Sequence, residues 1–250
     1  MASQPTTHST RFLSAVNELL TKIVEEEDAK IREAAKLVAD AAANGHLLHV
    51  VGAGHSAMLA EELFYRAGGL AIVNPIIDTD ITVAHGARRS TAMEHVRGYA
   101  EALLKTAGVG KGDVVLVVST SGVNVFPVEA ALTSKELGAA VVAVTSVRYS
   151  TTLEPRNPWG KRLCEVADVV IDNKVPRGDA VLKVKGFPMR VGPVSTITNS
   201  FIAAVLVAYT VEELVRRGVT PPVWLSAHLP EAGKHNEELF KKYSKAVKLL

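Results

Sequence analysis

The 250-residue chain has one cysteine, few aromatic residues and almost no net charge. Each scarcity excludes something. Cys164 alone closes no intrachain disulfide, which fits a reducing compartment. It stands between an expected helix end and a strand, where it reads as a buried structural thiol; a catalytic nucleophile is the alternative. One cysteine cannot anchor a thiolate metal site, and none of the eight histidines forms a H-E-x-x-H pair, so no metal is expected. A formal net charge of +2, with aromatics at 5%, supplies no basic face for nucleic acid. The stretch from Met1 to Phe12 lacks the apolar centre of a signal peptide. No uncharged apolar run reaches the roughly twenty residues of a membrane span; the longest, Phe201 to Val211, reads as a buried helix. The expectation is a cytoplasmic protein with no nucleic acid, membrane or cofactor as partner.

What is present is apolar: 48% of the residues are hydrophobic, enough for a large core. At about 150 residues per domain the length allows one or two domains. The economical reading is one domain over residues 1–250: an N-terminal helical segment to 45, a sheet core over 46–217 and a C-terminal tail over 218–250. From Arg11 to Ala43 the apolar positions keep helical spacing, as one long helix or two, closed by Asn44-Gly45. Glu25 to Asp28 interrupts that stripe and reads as a solvated face. Five short apolar runs follow: Leu47–Val51, Ala71–Ile77, Val114–Val118, Val141–Thr145 and Asp168–Asp172. Helices are expected between them over Ser56–Arg66, Thr91–Ala107 and Phe126–Leu137. Another, over Gly192–Arg217, opens polar and turns apolar. Continuous apolar strands alternating with helices mean an α/β three-layer sandwich with a five-stranded parallel sheet, covered on both faces.

In an open parallel sheet, ligands bind beyond the carboxyl ends of the strands, where strand order reverses. Two loops leave such ends with unusual composition: Gly52-Ala53-Gly54-His55-Ser56, and Ser119-Thr120-Ser121-Gly122-Val123-Asn124. In the flavodoxin-like order 2-1-3-4-5 both face one crevice. Glycine lets the backbone approach an anion closely, hydroxyls of Ser56, Ser119, Thr120 and Ser121 can donate to it, and helix N-termini favour it. Hydrogen bonds to a charged group contribute about 1.5–3 kcal/mol each. Four or five would hold a phosphate without Lys or Arg, and neither loop has one. His55 stands where a Walker A loop requires Lys, which argues against nucleoside triphosphate chemistry. Two other readings of these loops remain open. Gly52 to Ala57 also fits the loose dinucleotide pattern G-x-G-x-x-A, with Asp78 as a ribose acid. Ser56 and Asn124 could simply cap helices.

Strand three followed by Ser119-Thr120-Ser121-Gly122-Val123-Asn124 resembles the signature of the SIS (sugar isomerase) family, Ser-x-Ser-Gly-x-Thr. The first loop, with Ala60-Glu61-Glu62-Leu63, resembles sedoheptulose 7-phosphate isomerases. Asn157 to Leu163, Arg190-Val191-Gly192-Pro193 and His235-Asn236 resemble a further SIS family akin to N-acetylmuramic acid 6-phosphate etherases. The similarity runs from about Ala34 to Arg217. It implies a five-stranded parallel sheet, a homodimer and a sugar phosphate bound by the serine-rich loops through Ser56, Ser119 and Ser121, with Gly54 and Thr120 beside them. Asn124 replaces the usual Thr, and Met58 replaces a zinc-binding His of the heptose phosphate enzymes.

Aldose–ketose isomerisation needs a base to move a proton between adjacent carbons. Glu62 matches the catalytic Glu of the heptose phosphate isomerases; since Glu61 adjoins it, only one of the two can face the crevice. Glu94, at the opening of the helix after strand two, is the second carboxylate, by resemblance to the etherases. His55, inside the first loop, can act as acid or ring-opener. His235 is a candidate because a histidine of the partner subunit completes the site in related isomerases. The favoured function is a sugar phosphate isomerase working through an enediolate. A sugar-phosphate etherase or lyase, a sensor without turnover and a dinucleotide-dependent enzyme are the alternatives.

Overall fold

A computed structural model describes residues 7–250; the first six residues of the N-terminal stretch lie outside it. The elements run α1 (His8–Ala43), β1 (Leu48–Gly52), α2 (Met58–Leu63), β2 (Val73–Ile76), α3 (Ala87–Met93), α4 (Tyr99–Ala107), β3 (Val114–Val118), α5 (Val125–Glu136), β4 (Ala140–Thr145), α6 (Val147–Thr151) and β5 (Val169–Asp172). They continue with β6 (Ala180–Lys183), β7 (Arg190–Pro193), α7 (Ser195–Arg216) and α8 (Ala232–Tyr243). The expected sheet is present, with every pairing parallel and the order β2-β1-β3-β4-β5. Alternate strand residues enter opposite faces. Leu48, Val50, Leu116 and Val144 pack with α1, α2 and α7; Val51, Val115, Val117 and Ala143 pack with α4 and α5.

α1 is a single helix, entered through Thr7, whose hydroxyl accepts from Thr10 N–H at 3.2 Å. Its acidic run is not wholly solvated. Glu27 is buried and pairs with Lys174, while Asp28 accepts from the Tyr209 hydroxyl. The stripe is interrupted because β5 and α7 pack against it and bring cationic and phenolic partners to those positions. α7 is long and apolar enough, by length and composition, to cross a membrane. It lies instead along α1, with Ile202, Ala203, Leu206 and Leu214 in the core.

A buried polar group ties the amino ends of the central strands together. His49 Nε2–H donates to Asp113 at 3.1 Å, and its Nδ1 accepts from the Asn74 amide at 3.0 Å. Asp113 also accepts from the N–H groups of Leu47 and Gly110. Burial alone would raise the Asp113 carboxyl; the bonds from His49 and the two N–H groups outweigh it and hold it below the usual aspartate range.

Four expectations need correction. The helix expected over Ser56–Arg66 is a 3-10 turn, Gly54–Ala57, followed by the six residues of α2. It stops because Tyr65 turns to φ +43° and sets its ring 5.0 Å from Trp224 and 5.3 Å from Phe240. The helix expected over Thr91–Ala107 is two helices: Gly98 breaks it at φ +84°, and buried Glu129 accepts from the N–H groups of Gly98 and Ala100 at the start of α4. The β6–β7 hairpin and α6 were not expected. Finally, the C-terminal tail enters the fold. Trp224 is fully buried, and residues 222–224 exchange backbone hydrogen bonds with Gly68, Gly69 and Ala71 ahead of β2.

Replacing Trp224 by Ala removes a large buried side chain that joins tail to core. The expected loss is roughly 3–5 kcal/mol of unfolding free energy, read from urea denaturation. A loss below about 1 kcal/mol would show the tail to be a loose appendage.

Candidate functional site

Gly52 pairs with Val118, so the two serine-rich loops begin at the same level on neighbouring strands, about 4.8 Å apart. The first loop doubles back over Gly52. A Cβ there would stand 2.7 Å from the Ser56 carbonyl carbon and oxygen, a contact only glycine avoids. Gly54 N–H donates to Ile81 O at 2.8 Å, tying the loop to the segment after β2. Ser56 lies inside the 3-10 turn, half-buried, and its hydroxyl has no protein partner among the described residues; it is not a helix cap.

The second loop is braced from outside. Gly122 N–H donates to Ser119 Oγ at 3.1 Å, and Gly122 adopts φ +62° with Thr145 and Leu163 so close that a side chain would collide. Thr120 O accepts from Ser146 N–H, Gly122 O from Leu163 N–H at 2.8 Å, and Val123 O from Arg156 N–H and the Asn157 amide. Asn157 also bonds Lys161 O, while Arg162 reaches the carbonyls of Ser150 and Leu153. Residues 156–163 therefore clamp the loop's outer side. The inner side keeps its donors free. The hydroxyls of Thr120 and Ser121 and the N–H groups of Thr120, Ser121 and Val123 have no protein acceptor among the described residues. Asn124 precedes α5 without capping it by its side chain, and its Oδ1 is buried without a partner. α5 presents a regular helix N-terminus beside the second loop, whereas α2 is short and begins as a 3-10 turn.

His55 and Glu62 line one small cavity together with Met58, Thr196, Asn199 and Ser200. Glu62 is the inward member of its pair, with Glu61 exposed, and its carboxylate accepts from Arg66 at 3.0 Å. A second cavity continues from Glu62 past Leu63, Gly68, Gly69, Ala203 and Val207. The polar first turns of α7 thus face α2. They are held there by Asn173, at the end of β5, whose amide donates to Asn199 Oδ1 at 2.9 Å. Thr196, Asn199 and Ser200 were not among the sequence candidates. Their signal was the polar opening of an otherwise apolar helix.

Glu94 is the residue after α3, not the opening of a helix; its carbonyl accepts from Phe126 N–H at 3.0 Å, which sets it beside the start of α5. His235 is not brought to the loops within one protomer. It donates to Val223 O at 2.7 Å, at the amino end of the sheet, opposite the crevice. Asp78 accepts from the Tyr99 hydroxyl at 2.7 Å and from Asp80 N–H, both through Oδ1, which ties it to α4 and to the segment after β2. Burial and that bond to Asp78 keep the Tyr99 phenol protonated well above its usual range. Bonds from Arg89 and His85 pull Asp80 down to about 2. The Cys164 thiol is pushed up by burial, as suits a structural residue.

Comparison with known proteins places these features. Residues 11–146, more than half of the chain, match the model of the SIS domain. A UPF0309 protein of Listeria innocua is 38% identical over 239 residues, covering 96% of this chain and 97% of the relative. One from Brucella anthropi is 44% identical over 211 residues, covering 84% and 86%. Among solved structures, a phosphoheptose isomerase from Francisella tularensis superposes with a TM-score of 0.54 at 17% identity, covering 85% of this chain and all of the other. The Vibrio vulnificus NanR protein complexed with ManNAc-6P superposes with a TM-score of 0.51 at 13% identity, covering 96% and 70%. At those identities the likeness is one of fold. With the strand order, the two loops and these matches together, the chain belongs to the SIS domain family and, within it, to the UPF0309 proteins.

Proposed function

We propose that the crevice between the two loops binds a sugar phosphate, and that the protein is an aldose–ketose isomerase acting through an enediolate. One observation carries this reading: unpaired donors from Ser56, Thr120 and Ser121 leave adjacent strand ends, in loops that hold no cation. Uncharged donors with the N-terminus of α5 suit a phosphate dianion. Ser119 gives its oxygen to Gly122 N–H and keeps its hydrogen to donate. Membership of the SIS family supports the assignment.

In this mechanism Glu62 takes the proton from the carbon beside the carbonyl, and the C–H electron pair moves into the carbonyl to give the enediolate. Return of that proton to the former carbonyl carbon, with the neighbouring hydroxyl's proton passing to the former carbonyl oxygen, yields the isomer. Arg66 donates to the Glu62 carboxylate and orients it, and His55, in the same cavity, opens the sugar ring or donates to its oxygen. Glu94 is the second carboxylate, placed at the start of α5.

A second reading, an etherase or lyase of the N-acetylmuramic acid 6-phosphate type, begins with the same proton abstraction. The cavity beyond Glu62 favours it, because Leu63, Ala203 and Val207 would receive an apolar-tipped substituent that a simple aldose phosphate lacks.

The protein is also proposed to act as a homodimer in the cytoplasm. Phe187, Met189 and Val191 stand exposed on the β6–β7 hairpin. A two-stranded hairpin is marginal by itself, and a second copy is the occupant the family resemblance implies for this apolar face.

Glu62→Gln should lower turnover of the preferred sugar phosphate about a hundredfold or more, while calorimetric affinity for it stays within about threefold. Ser56→Ala with Ser121→Ala should instead abolish measurable binding. Unchanged turnover in Glu62→Gln removes Glu62 from the mechanism, and unchanged affinity in the serine variant removes the phosphate site. Assaying N-acetylmuramic acid 6-phosphate beside aldose phosphates separates the two chemistries: loss of its ether substituent favours the lyase reading, and conversion of an aldose phosphate to a ketose phosphate favours the isomerase. For assembly, light scattering should give twice the chain mass for the wild type and the single-chain mass for Phe187→Asp with Met189→Asp. A monomeric wild type would end the dimer proposal.

A further inference from the structure

A larger cleft, of about 850 Å³, opens at the carboxyl ends of β4 and β5. Its walls are one face of α1, the segment from β4 into α6, the residues after β5, and the β6–β7 hairpin. No residue of the two serine-rich loops lines it. Ser146 separates the two spaces: its hydroxyl donates to Val175 O at 2.7 Å and its N–H to Thr120 O. The cleft is therefore a neighbour of the proposed sugar phosphate crevice and not a part of it.

Five cationic side chains line it against three acidic ones, in a chain whose whole formal charge is only +2. Three of the five are engaged. Lys22 pairs with Glu18 at 2.7 Å. Lys174 is held by Glu26 at 2.9 Å, by Glu27 and by Asp172. Arg190 donates to Val181 O at 2.9 Å. The remaining two, Arg148 and Arg177, have neither an acidic partner nor a side-chain hydrogen bond among the described residues. Two uncompensated guanidinium groups in one concavity repel each other, and a concave surface concentrates their field on whatever enters. A guanidinium is also the group whose planar fork matches phosphate oxygens two at a time. Beside the arginines, the Tyr149 hydroxyl makes no hydrogen bond among the described residues, and Leu19, Pro176 and Val181 supply an apolar wall. The volume lies within the roughly 300–1,000 Å³ typical of small-molecule sites.

We infer that this cleft is a second ligand site, which binds a small phosphorylated organic molecule through Arg148 and Arg177, with its carbon skeleton against Leu19, Pro176 and Val181. The site is independent of the sugar phosphate assignment: it uses different elements, different residue types and a different electrostatic principle, paired cations in place of neutral donors.

Inorganic pyrophosphate serves as the probe for the anionic half of the ligand. Titration calorimetry at low ionic strength is run first on the Ser56→Ala/Ser121→Ala chain, in which the crevice hydroxyls are gone. That chain should still bind one pyrophosphate, more weakly as salt is added. Adding Arg148→Ala and Arg177→Ala should reduce the affinity at least tenfold; both residues are exposed, and circular dichroism should show the fold retained. Arg148→Ala/Arg177→Ala in the otherwise unaltered chain should leave sugar phosphate affinity unchanged. The inference is overturned if removing the arginines leaves pyrophosphate affinity as it was. It is equally overturned if pyrophosphate binds only when the loop serines are intact, because the anion then belongs to the crevice. No binding by any form overturns it as well.

Discussion

The parallel pairing of β1 with β3 is the contact from which the rest of the molecule follows. Five residue pairs, from Leu48 with Val114 to Gly52 with Val118, bring together segments more than sixty residues apart. Parallel neighbours cannot be joined by a tight turn. The intervening chain therefore makes α2, β2, α3 and α4, and β2 takes the other side of β1. Strand order reverses at that point, and the reversal opens the crevice. The pairing is secured from both faces by Val and Leu side chains and at its amino end by the His49–Asp113–Asn74 group. Three strands share those hydrogen bonds, so sliding any of them by one residue would leave buried polar atoms unpaired, at a cost of about 1–3 kcal/mol each.

The same constraint explains why the crevice is built from neutral groups. Loop donors at the ends of two buried strands sit in backbone already committed to turns, with Gly52 and Gly122 permitting the close approaches. A cation placed among them would need its own partner in the empty state. The second loop is instead stiffened by the clamp of residues 156–163, which satisfies its outward carbonyls and leaves its N–H groups inward. Rigid neutral donors lose little conformational freedom when an anion arrives. The cleft beside β5 works on the opposite basis. Its two unpartnered cations, Arg148 and Arg177, are long and exposed, and the other three are engaged by acidic or backbone partners.

α7 joins these regions. Its apolar length is accounted for by α1, against which it packs, and by the sheet beneath it. Its polar opening faces His55 and Glu62. A single helix thus supplies core at one end and the far wall of the crevice at the other, and the Asn173–Asn199 bond sets where one role gives way to the other.

Much of this was written in the chain as local pattern. Short apolar runs marked all five strands, and β3, apolar throughout, matched its expected bounds, because a strand buried on both faces is mostly apolar. The two loops were legible because glycine and hydroxyl residues directly after such runs have few structural uses. Other features were decided only by distant parts of the chain. The hairpin strands are short, half exposed and without a run; they exist because they pair with each other and rest on α1. Trp224 gave no hint that it fills the core, since its pocket is formed by Tyr65 and Phe240, residues separated by most of the sequence. The break at Gly98 depends on Glu129, and the inward turn of Glu27 on Lys174. In each case a side chain's role was set by a partner remote in sequence, and no window along the chain contains both.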